Sequence, residues 1–163
     1  RQMCIRDRYT FLAIKAILQW KSQMAWIKVD DQPGRKVDLT GLFAMMQAET
    51  FGGGYRVAPG MQPFGDSASI VLGFGLTKLQ MLSVMGPLEK GRHVGKWGKI
   101  SMEPCRRFEI KALDSEGNPT DEKGHEPPLF ISLDGEISMT TPVSFEFHEG
   151  QLNVRGGKKP PNV

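Results

Sequence analysis

The chain has 163 residues, a formal net charge of +3 and two cysteines, a length sufficient for one domain with a real hydrophobic core. Its first eight residues, Arg1-Gln-Met-Cys-Ile-Arg-Asp-Arg8, match in-frame read-through of a sequencing-library adapter and are set aside as an artefact; they hold three arginines, Asp7 and Cys4, so without them the net charge falls by two to +1 and Cys105 is the one cysteine. A near-neutral chain of interspersed charges gives no footprint for nucleic acid, and a single cysteine excludes an intrachain disulfide and a multi-cysteine zinc site, which implies a reducing, cytoplasmic setting.

From Tyr9 to Lys21, apolar residues at Phe11, Ile14, Ile17 and Leu18 alternate with polar ones at helical spacing, which predicts an amphipathic helix. The stretch Phe11 to Ile27 is interrupted by Lys15, Gln19, Lys21, Ser22 and Gln23, whereas a membrane span needs about 20 predominantly apolar residues. Met24 to Val29 reads as a strand closed by the turn residues Asp30-Asp-Gln-Pro-Gly34, with paired strands expected over Lys36 to Phe51. Val71 to Phe74 reads as a further strand and Leu76 to Met85 as a short helix. Beyond Lys90 the period is two: Phe108, Ile110 and Ala112, then Val143, Phe145 and Phe147, alternate with polar residues as half-buried antiparallel strands do. Asp114 to Pro128 carries no large apolar residue and reads as a solvated loop, and residues 156–163 read as a flexible tail. The expected fold is mainly β (α+β), an antiparallel two-sheet β-sandwich-like domain with two short helices.

Three places carry candidate chemistry. Gly52-Gly53-Gly54 resembles a phosphate cradle in composition, yet Tyr55 to Pro59 after it reads as a strand ending in proline instead of a helix start, so a bulge or close backbone approach is the better reading. Leu133-Asp-Gly-Glu136 reads either as a plain hairpin turn or as a pair of carboxylates presented at one. His93 stands without ligand spacing, and His125 and His148 fall at solvated positions, so none receives a catalytic role; Met81, Met85 and Trp97 read as packing residues.

Taken in order, the helix Thr10 to Leu18, Phe51-Gly-Gly-Gly-Tyr-Arg-Val-Ala-Pro59, the acidic turn at Asp66, a strand and helix, Glu89-Lys-Gly-Arg-His93, and Leu133-Asp-Gly-Glu136 followed by Thr141-Pro142 resemble the C-terminal domain of the diacylglycerol kinase and sphingosine kinase-like lipid kinases. The resemblance covers Thr10 to Val154, within a C-terminal domain taken as residues 9–155, and the family's Gly-Gly-Asp-Gly-Thr nucleotide signature is absent from these residues. It implies a two-domain parent whose N-terminal nucleotide-binding domain is missing, using ATP and Mg2+ to phosphorylate a hydroxyl of diacylglycerol or a sphingoid base, in the cytoplasm and peripherally at a membrane surface. It further implies that Glu136 is a proton acceptor, as in the bacterial members, or a nucleotide contact, as in the sphingosine kinase-like ones, and that Asp134 and Gly135 contact nucleotide or magnesium. Asp66 would hold a structural magnesium with the carbonyls of Pro63 and Ala68, although Gly65-Asp66-Ser67 lacks the family's usual Asp-Gly, which leaves a simple Asx turn as the other reading. Apolar residues left exposed by a lost domain would form a patch of their own. The readings outside this family are a non-catalytic β-sandwich binding module and, among enzymes, an NAD kinase-like protein.

Overall fold

A computed structural model of the chain describes residues 5–51, 54–63, 65–121, 129–134 and 136–151, the side chains of 5–9, 40–42 and 138 aside. The described elements run α1 (Ile5–Gln19), β1 (Gln23–Val29), β2 (Arg35–Met46), β3 (Ala68–Phe74), α2 (Lys78–Glu89), a 3-10 turn at Lys96–Gly98, β4 (Ile100–Cys105), β5 (Arg107–Leu113), β6 (Pro119–Thr120), β7 (Phe130–Leu133), β8 (Glu136–Thr140) and β9 (Val143–Glu146). One sheet takes the order β4-β3-β2-β1-β5-β6, with β9 also paired to β5, and β7 and β8 form a second, two-stranded sheet. Every pairing is antiparallel, so the chain is mostly β with two helices and its sheets form a curled, sandwich-like arrangement, as the period-two patterning predicts.

Burial follows the alternation. In β1, Ala25, Ile27 and Val29 are buried between more exposed neighbours, and in β5 the buried set is Phe108, Ile110 and Ala112. These side chains, with Ile70, Leu72, Cys105 and Leu129, make the main core. Strand β3 is buried along nearly its whole length because its other face is covered too: Val71 joins a second core with Met46, Val57, Ala58, Leu76, Met81, Val84 and Ile100 beneath α2. A strand sandwiched in this way loses its polar alternation, which explains the continuous apolar run of its sequence.

Local chemistry sets the boundaries that the sequence reading misplaced. The first helix begins at Ile5, four residues before the expected Tyr9, and ends at Gln19, not Lys21. The second begins at Lys78, not Leu76, because Thr77 caps it: its hydroxyl accepts from the Gln80 amide at 3.2 Å while the Gln80 side chain accepts from the Thr77 amide at 3.0 Å. The expected pair of strands over Lys36 to Phe51 is one twelve-residue strand, β2, which pairs with β1 along its first part and with β3 along its second, across a register shift between Leu39 and Phe43. Tyr55 to Pro59 is not a strand; only Tyr55 pairs, in an isolated bridge to Phe51. Within the expected loop, Pro119 and Thr120 pair with β5, and Asp114 accepts from the amides of Glu116 and Asn118 at 2.9 and 2.7 Å, so this part is ordered by its own turn chemistry. Residues 122–128 of that loop, with His125, and the tail 156–163 lie outside the described residues.

Asp30 ties the two halves of the sheet. Its backbone is left-handed (φ 47°), and its carboxylate accepts from the amides of Arg106 and Arg107 at 2.8 and 2.6 Å, joining the β1–β2 turn to the β4–β5 junction. Among the described residues no helix is long and apolar enough to cross a membrane.

Candidate functional site

The Leu133 to Glu136 segment is the tip of the β7–β8 hairpin. Leu133 pairs with Glu136, so Asp134 and Gly135 form a two-residue connection, the length that favours left-handed backbone and an Asp-Gly pair. Asp134 is left-handed (φ 49°), a conformation that aspartate tolerates better than most residues; Gly135 lies outside the described residues. The hairpin turn expected from the sequence is therefore present, and it presents both carboxylates to solvent. Neither carboxylate makes a hydrogen bond or ion pair with another described residue.

The hairpin is rooted at its base and bare at its flank. Leu129 and Thr141 are buried, and the Thr141 amide donates to the Leu129 carbonyl at 3.1 Å. Ile131 packs against the main core, whereas Phe130 is 64% exposed and Ile137 72% exposed. A pair of carboxylates held on a fixed turn, next to apolar surface, can orient a hydroxyl, take up its proton, or meet a cation.

The second predicted site lies in the turn that leads into β3. The amide of Gly65 donates to the carbonyl of Gln62 at 3.1 Å, and the exposed carboxylate of Asp66 accepts from the Ser67 hydroxyl at 3.5 Å. No backbone amide donates to Asp66 among the described residues, so the hydrogen bond that defines an Asx turn is not formed there. Pro63 is exposed and Ala68 is buried as the first residue of β3, opposite Cys105. Among the described residues no three histidine, cysteine, aspartate or glutamate side chains gather into a metal-binding group. One carboxylate with main-chain carbonyls is still an oxygen set that fits a hard cation by its chemistry. Thus Asp134 and Glu136 share one turn and Pro63, Asp66 and Ala68 share another, and no hydrogen bond or ion pair among the described residues joins the two.

Of the glycine-rich segment, expected as a bulge or close backbone approach, Gly52 and Gly53 lie outside the described residues; Gly54 takes φ 92° in a turn, and the Phe51 amide donates to the Tyr55 carbonyl at 2.9 Å. The stretch after this turn is clamped from below by a residue that sequence reasoning left without a role. His93 is fully buried, and its Nε2 lies 3.0 Å from the Val57 carbonyl, which can only accept, so the ring proton sits on Nε2. Burial holds the His93 pKa below its ordinary value, against the opposing effect of the Val57 hydrogen bond, and Nδ1 is buried without a partner among the described residues. Gly91 has φ +67°, and a Cβ there would meet that of Pro59 at 3.1 Å, so the same motif brings two backbones together where a side chain would intrude. The signal was present in the Gly-Arg-His spacing after α2, but a lone histidine does not announce its burial. Trp97, read as core or interface packing, is not in the core: it is half-exposed at φ 52°, with the Lys96 ammonium 5.7 Å from its ring centre. Cys105 is buried and its thiol is pushed up to about 11, first by burial and then by the charges of Asp30 and Glu103, which makes it inert.

Residues 2–156 match the family model described as the YegS C-terminal NAD kinase beta sandwich-like domain. Among solved structures, the fold is similar to that of a candidate diacylglycerol kinase from Bacillus anthracis str. Sterne, with a TM-score of 0.64 and 17% identity over 87% of this chain and 44% of that one. A second structure of a candidate diacylglycerol kinase from the same strain gives a TM-score of 0.57 and 16% identity over 84% of this chain and 41% of that one. This chain therefore spans less than half the length of either. No curated protein matches it in sequence.

Proposed function

From the premise that this chain belongs to the family of YegS C-terminal NAD kinase beta sandwich-like domains, we propose that it is the C-terminal portion of an ATP- and magnesium-dependent lipid kinase that phosphorylates a hydroxyl of diacylglycerol or a sphingoid base. The observation that carries this reading is the hairpin tip: two solvent-facing carboxylates, Asp134 and Glu136, fixed on a tight turn beside exposed apolar surface. Phosphoryl transfer asks little covalent chemistry of a protein; it asks for positioning, charge stabilisation and a carboxylate near the nucleophile.

In this mechanism Glu136 accepts the proton of the lipid hydroxyl as its oxygen bonds to the γ-phosphorus and the bond to the departing ADP oxygen breaks. Asp134 and Gly135 would contact nucleotide or magnesium from the same turn. Asp66, with the carbonyls of Pro63 and Ala68, would hold a structural cation at the start of β3. Magnesium, when bound, neutralises charge on phosphoryl oxygens or braces a turn. The nucleotide itself is held chiefly by the N-terminal domain of the parent, so the present chain alone neither binds ATP tightly nor turns over. The apolar flank of Phe130 and Ile137 fits an approach by that domain. A cytoplasmic enzyme in peripheral contact with a membrane is consistent with such a substrate.

The test is transfer of radiolabelled phosphate from ATP to diacylglycerol, sphingosine and ceramide by the full-length parent and its Glu136→Gln variant. Phosphorylation of one of these lipids is expected in the parent and a loss of about 100-fold or more in the variant, the range for removing a general base. Absence of transfer to any lipid would instead favour a non-catalytic binding module.

A further inference from the structure

We propose that the outward face of α1, extended by the first turn of α2, docks on an anionic lipid bilayer. The inference rests on the lipid-kinase reading in taking a bilayer as the source of the substrate, and it assigns the surface that meets it.

Helix α1 carries two stripes of the same spacing, the outer one wholly apolar. Thr10, Ala13 and Ile17 are half-buried toward the body of the protein, and Ile17 packs on the second core. Phe11, Ile14 and Leu18, one residue further on, repeat the i, i+3, i+7 pattern toward solvent, with Phe11 60% exposed and Leu18 54% exposed. Leu79, in the first turn of α2, is 79% exposed, and its neighbour Lys78 ties that turn to the end of the stripe by donating from Nζ to the Leu18 carbonyl at 2.5 Å. The stripe is anchored at its C-terminal end: the Trp20 indole N–H donates to the Leu39 carbonyl at 3.1 Å, tying the end of α1 to β2. A helix that places one stripe inward and a wholly apolar one outward has more apolar surface than its own domain covers.

The charges along the stripe itself are basic, with Asp7 in the first turn of α1, Asp38, which accepts from the Ser22 hydroxyl, and Glu89 at the end of α2 as the acidic residues beyond its ends. From Thr10 to Gln23 and from Leu76 to Leu88 the only charged residues are Lys15, Lys21 and Lys78, all exposed, with no aspartate or glutamate. Apolar and aromatic side chains fringed by lysines are the pattern of a helix lying in a bilayer interface, where the apolar groups enter the acyl boundary and each lysine near the surface favours anionic headgroups. The other exposed apolar region, at Phe130 and Ile137, carries Asp134 and Glu136 at its tip and would be repelled by the same surface.

Co-sedimentation of the chain, without nucleotide, with vesicles of phosphatidylcholine alone or with added phosphatidylserine tests this. Binding to the serine-containing vesicles is expected, with a loss of roughly tenfold or more in the Phe11→Ser/Leu18→Ser variant and a similar loss in Lys15→Glu/Lys21→Glu, which keeps the apolar stripe. Circular dichroism of every variant is expected to be unchanged because the substituted residues are exposed. Absence of binding to either vesicle overturns the proposal, as does equal binding by the Phe11→Ser/Leu18→Ser variant. Self-association in solution that this variant abolishes, without vesicle binding, overturns it in favour of a second copy of the chain. Because no phosphoryl transfer is read, failure here is distinct from failure of the kinase reading.

Discussion

The seven-stranded sheet and the β7–β8 hairpin are built from the same kind of sequence, short alternating strands with turn residues between them, yet they spend their apolar residues in opposite ways. The sheet buries Ile27, Ile70, Leu72, Phe108 and Ile110 completely or nearly so, while the hairpin leaves Phe130, Leu133 and Ile137 in solvent and turns only Ile131 to the core. A two-stranded ribbon is marginal on its own, and here it stands because its base is locked at Leu129 and Thr141. The difference teaches where conformational stability resides and where chemistry can: the sheet supplies rigidity, and the hairpin projects two carboxylates from that rigid base without being needed by it.

The contrast breaks first at Phe108. Its ring is fully buried and its centre lies 5.2 Å from that of Phe43, in the middle of the main core. Phe108→Ala removes the transfer energy of the ring and leaves a cavity between strands that pair on both sides, a loss of about 3–5 kcal/mol. Urea unfolding followed by tryptophan fluorescence would read it, and a loss below about 1 kcal/mol would mean that the sheet is not the stabilising element.

How far this division was legible in the sequence depends on the element. The antiparallel class, β1, β5 and the hairpin turns were written in period-two alternation and in Asp30 to Gly34 and Asp134-Gly135, because half-buried strands leave a polar face. β2 was misread as two strands because one long strand pairs on both edges with different neighbours, and neither neighbour is visible in its own residues. β3 hid its limits because burial on both faces erases alternation. At the candidate site, the Asp-Gly turn and its flanking carboxylates could be read directly; the exposure of Phe130 and Ile137 could not, since the same residues in a central strand would be core. His93 was missed for the opposite reason, because burial of a polar side chain depends on the Val57 carbonyl that meets it from a distant loop.

A smaller effect separates the clamp under the glycine-rich turn from both regions. Burial keeps the pKa of His93 below that of the unfolded chain, so the unfolded state binds the proton more readily and stability falls as pH drops through the unfolded value of about 6.5 and on toward the folded one. Protonation would place a proton on Nδ1, which has no acceptor among the described residues. Thermal melts between pH 8 and pH 5 should show a descent that begins near pH 6.5, and His93→Gln, which retains a donor for Val57 but cannot titrate, should remove that descent. A descent that persists in the variant would assign it to other groups.

The smallest effect sharpens the comparison most. Ile137 has the size and branching of the sheet's core residues, and in a buried strand its replacement by serine would be severe; at 72% exposure it has little burial to lose. Ile137→Ser in this chain should therefore change the unfolding free energy by no more than about 0.5 kcal/mol, the range of surface substitutions. A similar residue type on a similar backbone would then differ in consequence only through what covers it. A loss above about 1.5 kcal/mol would show the hairpin to be part of the cooperative core, and the Asp134-Glu136 tip would have to be counted among the structural turns, not the sites they leave exposed.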